Sequence, residues 1–232
     1  VAVCDLFTGM FAANAALAAL HYRARTGKGQ HIDCALLDSQ ISMLANQSAN
    51  WLNAEMCPGR MGNNHPSVVP YTVYRARDGF VIVACGNDKQ FIRLTAALAI
   101  PRLADDFDFA TNEARIKNRD RLDVTLGDII SKMDRQQLIE TLEAAGVSCG
   151  PINDIAEVFA DPHVQARGAR IDQWRDDGSQ ISTTAYAAKL SLTPAQYYTT
   201  PPRLGEHSDQ IIAEWADMSP AAIAALRDAK VI

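Results

Sequence analysis

Residues 6–25 restrict the fold most. They combine the helix formers Ala, Leu and Met with bulky apolar residues at Leu6, Met10, Leu17 and Leu20, close to helical spacing, which predicts a buried helix. Asp5 stands where an N-cap belongs, and Gly27 where a C-terminal stop belongs, after Arg23 and Arg25 in the last turn. Behind that stop, residues 31–36 predict a short strand and about 38–53 a second helix through Ile41, Leu44 and Trp51. Helix, strand and helix in succession suit an α/β protein with a doubly wound sheet.

A second pattern begins after an irregular stretch from 56 to 70, where Pro58, Gly59, Gly62, Asn63, Asn64, Pro66 and Pro70 mark a loop and a boundary. Residues 71–75 and 80–85, rich in Val, Ile and aromatics, flank Asp78-Gly79 and predict an antiparallel hairpin. Asn87-Asp88 can cap a helix through Phe91, Leu94 and Leu98. Further helices are expected at 115–133 and 134–145, the last stopped by Gly146. This middle part reads as a small α/β domain. Beyond Pro151 the pattern predicts a short helix near 155–159, a turn at Asp161-Pro162, strands around 169–174 and 180–184, and two closing helices at about 208–215 and 220–229.

Composition narrows the function. With 48% hydrophobic and 21% charged residues the chain has the make-up of a globular protein, and its net charge of -5 argues against a nucleic-acid partner, which needs a basic footprint. Small molecules or protein are the expected partners. The five cysteines (Cys4, Cys34, Cys57, Cys85 and Cys149) are scattered and show no C-x-x-C spacing, so they read as reduced, mostly buried thiols of a cytoplasmic protein, with neither a disulfide framework nor a metal site. His21, His31, His163 and His207 lack metal-ligand spacing. No uninterrupted apolar run approaches bilayer length, the stretch from Phe11 to Leu20 being broken by Asn14, so no membrane association is expected. Lys28-Gly29 is not a P-loop, and Gly86-Asn87-Asp88 is a capped strand-to-helix turn rather than a dinucleotide fingerprint.

Taken alone, Asp5 is most simply a helix cap. Its context says more. Asp5-Leu6-Phe7-Thr8-Gly9 followed by Arg25-Thr26-Gly27-Lys28-Gly29-Gln30 resembles the nucleophile region of the family III CoA-transferases, the formyl-CoA transferase and carnitine-CoA transferase (CaiB/BaiF) family. The resemblance continues through Gly62-Asn63-Asn64-His65-Pro66-Ser67-Val68-Val69-Pro70-Tyr71, Gly86-Asn87-Asp88-Lys89-Gln90-Phe91, Gly146-Val147-Ser148-Cys149-Gly150-Pro151-Ile152-Asn153, Asp161-Pro162 and Leu204-Gly205-Glu206-His207. Each motif is weak by itself; their order is specific.

The resemblance implies that Asp5 is a covalent nucleophile that moves CoA from an acyl-CoA thioester to a small carboxylic acid, with CoA as substrate and no metal. The segment Gly62, Asn63, Asn64 and His65 stands where the family has a glycine-rich loop over the active site. It is not a glycine run, and its polar side chains could hold a distal carboxylate, as in the branch using succinate or related dicarboxylates. Family members carry well over a hundred residues before the position matching Asp5, so the resemblance also implies a C-terminal portion of a larger enzyme, inactive alone, whose CoA-binding residues are mostly elsewhere. The implied organisation assigns 1–56 and 153–232 to a Rossmann-like large domain and 57–152 to the small α/β domain, within a homodimer of interlocked rings. Two rival readings are an α-methylacyl-CoA racemase of the same superfamily, with Asp5 in acid/base chemistry, and a non-enzymatic dimerisation or binding module.

Overall fold

The computed structural model describes all 232 residues, Val1–Ile232. They form two compact units, Val1–Ser67 and Val68–Ile232. The first holds α1 (Val3–Thr26), α2 (Leu36–Ser42) and α3 (Asn46–Ala54). Gly27 ends α1 as expected: at φ 72° it adopts the left-handed conformation open to glycine, and its amide donates to the Arg23 carbonyl. Three expectations fail here. Residues 31–36 form no strand, because a strand needs a hydrogen-bonded neighbour and this unit supplies none; the segment runs extended into α2. The single helix expected at 38–53 is broken into α2 and α3 at residues 43–45, where Ala45 takes φ 49°. And α1 buries no residue of its own, with Leu6, Met10 and Leu17 at 60%, 64% and 65% exposure.

At 24 residues, α1 is also long and apolar enough to cross a membrane by length and composition, contrary to the expectation from uninterrupted apolar runs. The reason is that its many alanines sustain apolar character across Asn14. The same property describes an interior helix of a larger fold, since a helix apolar on all sides must be covered by something other than water.

In the second unit, β1 (Tyr71–Arg75), β2 (Phe80–Ala84) and β3 (Ser148–Ile152) form an antiparallel sheet in the order β1-β2-β3. The register pairs Thr72 with Val83 and Tyr74 with Val81, so the alternate residues of both strands share one buried face. On that face pack Phe91 and Leu94 of α4 (Asp88–Ala97), Leu122, Leu126 and Ile130 of α6 (Arg119–Ile130), and Leu138 and Leu142 of α7 (Arg135–Ala144). The three-residue spacing in α4 and the four-residue spacing in α6 and α7 put these side chains on one stripe of each helix. The hairpin and the Asn87 cap are as expected, the Asn87 side chain accepting the Gln90 amide. The helix expected at 115–133 is divided into α5 (Asn112–Lys117) and α6 at Asn118.

The hairpin turn does more than reverse the chain. Asp78 Oδ1 accepts the Arg135 amide at 2.7 Å, capping α7 from outside, since the α7 N-cap residue Asp134 makes no such bond. Arg135 in turn pairs with both oxygens of Glu157, which belongs to the capping box of α8 (Ile155–Ala160). A second hairpin, β4 (Arg170–Trp174) and β5 (Gln180–Thr184), follows the short α9 (Pro162–Ala166). α10 (Ser208–Ala216) and α11 (Pro220–Asp228) close the chain. The architecture is therefore mixed α/β with two antiparallel sheets. No parallel pair forms, so the doubly wound sheet is not completed by this chain.

Candidate active site

Asp5 is exposed and lies in the first turn of α1, two residues inside its start. It is not the N-cap; that position is Ala2, which provides no side-chain acceptor. The carboxylate consequently sits beside first-turn amides that no side chain caps, where the helix dipole favours negative charge. The turn is tied down from behind. The Thr8 hydroxyl donates to the Cys4 carbonyl at 2.8 Å, the Cys4 thiol to the Leu36 carbonyl at 3.2 Å, and the Cys34 thiol to the Thr8 carbonyl at 3.7 Å. Cys4 thus braces the end of α1 against the start of α2.

Gly62, Asn63, Asn64 and His65 fall in one tight turn of the same unit. Gly62 takes φ 59°, and the Asn64 amide donates to the Met61 carbonyl at 3.1 Å. His65 Nδ1 accepts the Ser67 amide at 3.1 Å, so the neutral imidazole carries its proton on Nε2. The ring is half-buried, and its bond to Ser67 fixes the loop whatever else it does. Of the five cysteines only Cys85 is buried, fewer than expected; burial pushes its thiol up to about 12, and Arg115 and Arg93 pull the other way. Cys57 is exposed.

Sequence reasoning missed a fully buried arginine. Arg115, on α5, donates from Nε to the Val69 carbonyl at 2.6 Å, from Nη1 to the Phe109 carbonyl at 2.9 Å and from Nη2 to Asp88 Oδ1 at 2.8 Å. Its guanidinium lies 4.4 Å from the centre of the Phe91 ring. Asp88 and Phe91 belong to the Gly86–Phe91 motif, but no local pattern in the sequence pairs that motif with Arg115. The Gly205-Glu206-His207 motif lines a cavity of about 840 Å³ with Trp174 and Tyr197. Its charges are satisfied internally: Arg203 pairs with Asp177 and donates its amide to Glu206. No three His, Cys, Asp or Glu side chains are grouped to hold a metal ion.

The model of CoA-transferase family III matches residues 1–208, which take in Asp5, the Gly62–His65 turn and the Arg115 cluster. The chain belongs to this family. It is 45% identical over 92% of its length to a succinate–glutarate CoA-transferase of Agrobacterium fabrum, and 34% identical over its full length to the human succinyl-CoA:glutarate CoA-transferase. The solved structure of a CaiB/BaiF family protein from Brucella suis matches 92% of the chain with a TM-score of 0.78 and 43% identity. The chain spans 54%, 53% and 55% of these three proteins, about half of each.

Proposed function

We propose that the protein carrying this chain transfers CoA between an acyl-CoA thioester and a dicarboxylic acid, with Asp5 as the covalent nucleophile. The observation that carries this reading is the match to a succinate–glutarate CoA-transferase across 92% of the chain, joined to an exposed carboxylate in the first turn of α1. The Asp5 carboxylate attacks the thioester carbonyl; the C–S bond breaks, giving a mixed anhydride and CoA thiolate. The thiolate attacks the aspartyl carbonyl, releasing the donor acid and leaving an aspartyl-CoA thioester. The acceptor carboxylate opens that thioester to a second anhydride, and the thiolate then takes the acceptor's acyl carbon, restoring Asp5. First-turn amides of α1 stabilise the developing oxyanions, and water must be kept out because it would hydrolyse each intermediate. Asn63, Asn64 and His65, through Nε2–H, hold the acceptor's distal carboxylate.

The same reading makes α1 an interior helix covered by the rest of a cytoplasmic, homodimeric enzyme, with 1–56 and 153–232 in its large domain and 57–152 in the small one. The 232-residue chain by itself then lacks most of the CoA crevice, and calorimetry should detect no micromolar CoA binding to it. The decisive experiment is to incubate the full-length protein with succinyl-CoA, trap with hydroxylamine and map the modified peptide by mass spectrometry. Modification at Asp5, with transfer abolished in Asp5→Ala, is expected. Transfer that survives in Asp5→Ala would remove Asp5 from the chemistry.

A further inference from the structure

Val69 is completely buried, yet it belongs to no strand. Its backbone is served by side chains instead. Its amide donates to Asn112 Oδ1 at 3.1 Å and its carbonyl accepts from Arg115 Nε at 2.6 Å. Asn112 and Arg115 lie three residues apart on α5, on one helix face, so this short helix grips both polar groups of a single residue as a neighbouring strand would. The next residue, Pro70, has no amide to offer, and its carbonyl accepts the Cys85 amide at 2.8 Å. Residues 69 and 70 are therefore held at three points. Asp88 and Phe91 hold the guanidinium itself, by an ion pair at one edge and a ring at 4.4 Å. A lysine could not replace it, since one ammonium cannot reach two carbonyls and a carboxylate in these directions. Two residues before Val68 lies Pro66, and before it His65, already tied to Ser67.

We propose that Asn112 and Arg115 are positioning residues for the acceptor turn Gly62–His65: they fix the point from which the turn departs, and Asp88 and Phe91 serve as their supports. This rests on the reading of that turn as the dicarboxylate site. The same reading gives the Gly86–Phe91 motif a task that involves neither phosphate nor nucleotide.

The test compares Asn112→Ala with Asn112→Asp in the full-length protein, because Asp restores an acceptor for the Val69 amide. Two measurements are made: amide hydrogen exchange by mass spectrometry, and KM for succinyl-CoA and glutarate separately. In Asn112→Ala, exchange in a peptide covering 61–70 should rise about fivefold, as expected for one lost hydrogen bond, with the peptide 122–130 unchanged. The glutarate KM should rise severalfold, the succinyl-CoA KM should hold, and Asn112→Asp should reverse both effects. Unchanged exchange and KM would refute the proposal. Equal rises in both KM values, or faster exchange throughout the core, would reduce the pair to a merely structural role. A wild type that transfers nothing to dicarboxylates would refute the function and the acceptor role with it, while the exchange measurement would still decide whether the anchor exists.

Discussion

Replacing Arg115 with methionine keeps most of the side-chain volume and removes every polar contact, which makes its cost calculable. Val69 and Phe109 are 0% and 2% exposed, so their carbonyls would be left without a donor or water. Each such orphan costs about 1–3 kcal/mol. Losing the desolvated stack on Phe91 adds up to about 2 kcal/mol. The Asp88 carboxylate is 50% exposed, and its share of the ion pair is under about 1 kcal/mol. Against these losses stands relief from burying a charge, which in other proteins has made apolar replacements well tolerated. The balance is a loss of about 3 kcal/mol, equivalent to roughly 6–12 °C in Tm for a unit of this size. Urea unfolding followed by circular dichroism of the full chain measures it, with Asp88→Asn as the control expected to cost less than about 1 kcal/mol. A cost below about 1 kcal/mol for Arg115→Met would show that the two carbonyls find other partners. An equal cost for Asp88→Asn would show that the ion pair, and not the carbonyl bonds, carries the stability.

Two further outcomes are expected. Cys57 should react with a thiol reagent in the native protein, whereas Cys85, with burial pushing its thiol up to about 12, should react only on unfolding; comparable native rates by peptide mapping would mean that the C-terminal end of β2 is not packed. The Tyr74 hydroxyl donates to Asp123 at 2.7 Å, and burial, more than the opposing hydrogen bond and Arg119, raises the Asp123 carboxyl above its usual 3.8. A raised carboxyl binds its proton more tightly when folded, so its ionised form costs stability above the folded pKa and the cost vanishes below 3.8. Asp123→Asn, which keeps an acceptor for Tyr74, should therefore be at least as stable as wild type at pH 7, with the difference closing as pH falls toward 3.8; an Asn variant that loses stability at pH 7 and regains it in acid would reverse the argument.

Elements whose signal is local were legible in the sequence. Asp78-Gly79 between β-branched runs specifies a hairpin without help from the rest of the chain, and Asn87 and Gly27 cap their helices through bonds a few residues long. β3 was not legible as a strand, since Gly150 and Pro151 weaken any strand pattern. Proline is tolerated there because β3 is an edge, and it is an edge only because β2 has a free side for it. Residues 31–36 show the converse: they have a strand's composition and no neighbour to pair with. Whether such a segment becomes a strand depends on what lies beside it, which a local pattern does not encode.

The site divides along the same line. Asp5 is proposed from the family resemblance of the motifs around it, because a carboxylate opening an apolar helix reads by itself as a cap; the structure makes it a first-turn residue instead, with Ala2 at the cap. Arg115 could not be found, because surface arginines are the rule and nothing in Asn112-Glu113-Ala114-Arg115 marks this one as buried. Its burial is set by Val69, 46 residues away, whose two backbone groups must be bonded once Pro70 denies the segment an ordinary ladder. The arginine answers a demand made by the backbone, and such demands become visible only when the chain has been folded and every buried amide and carbonyl asked for its partner.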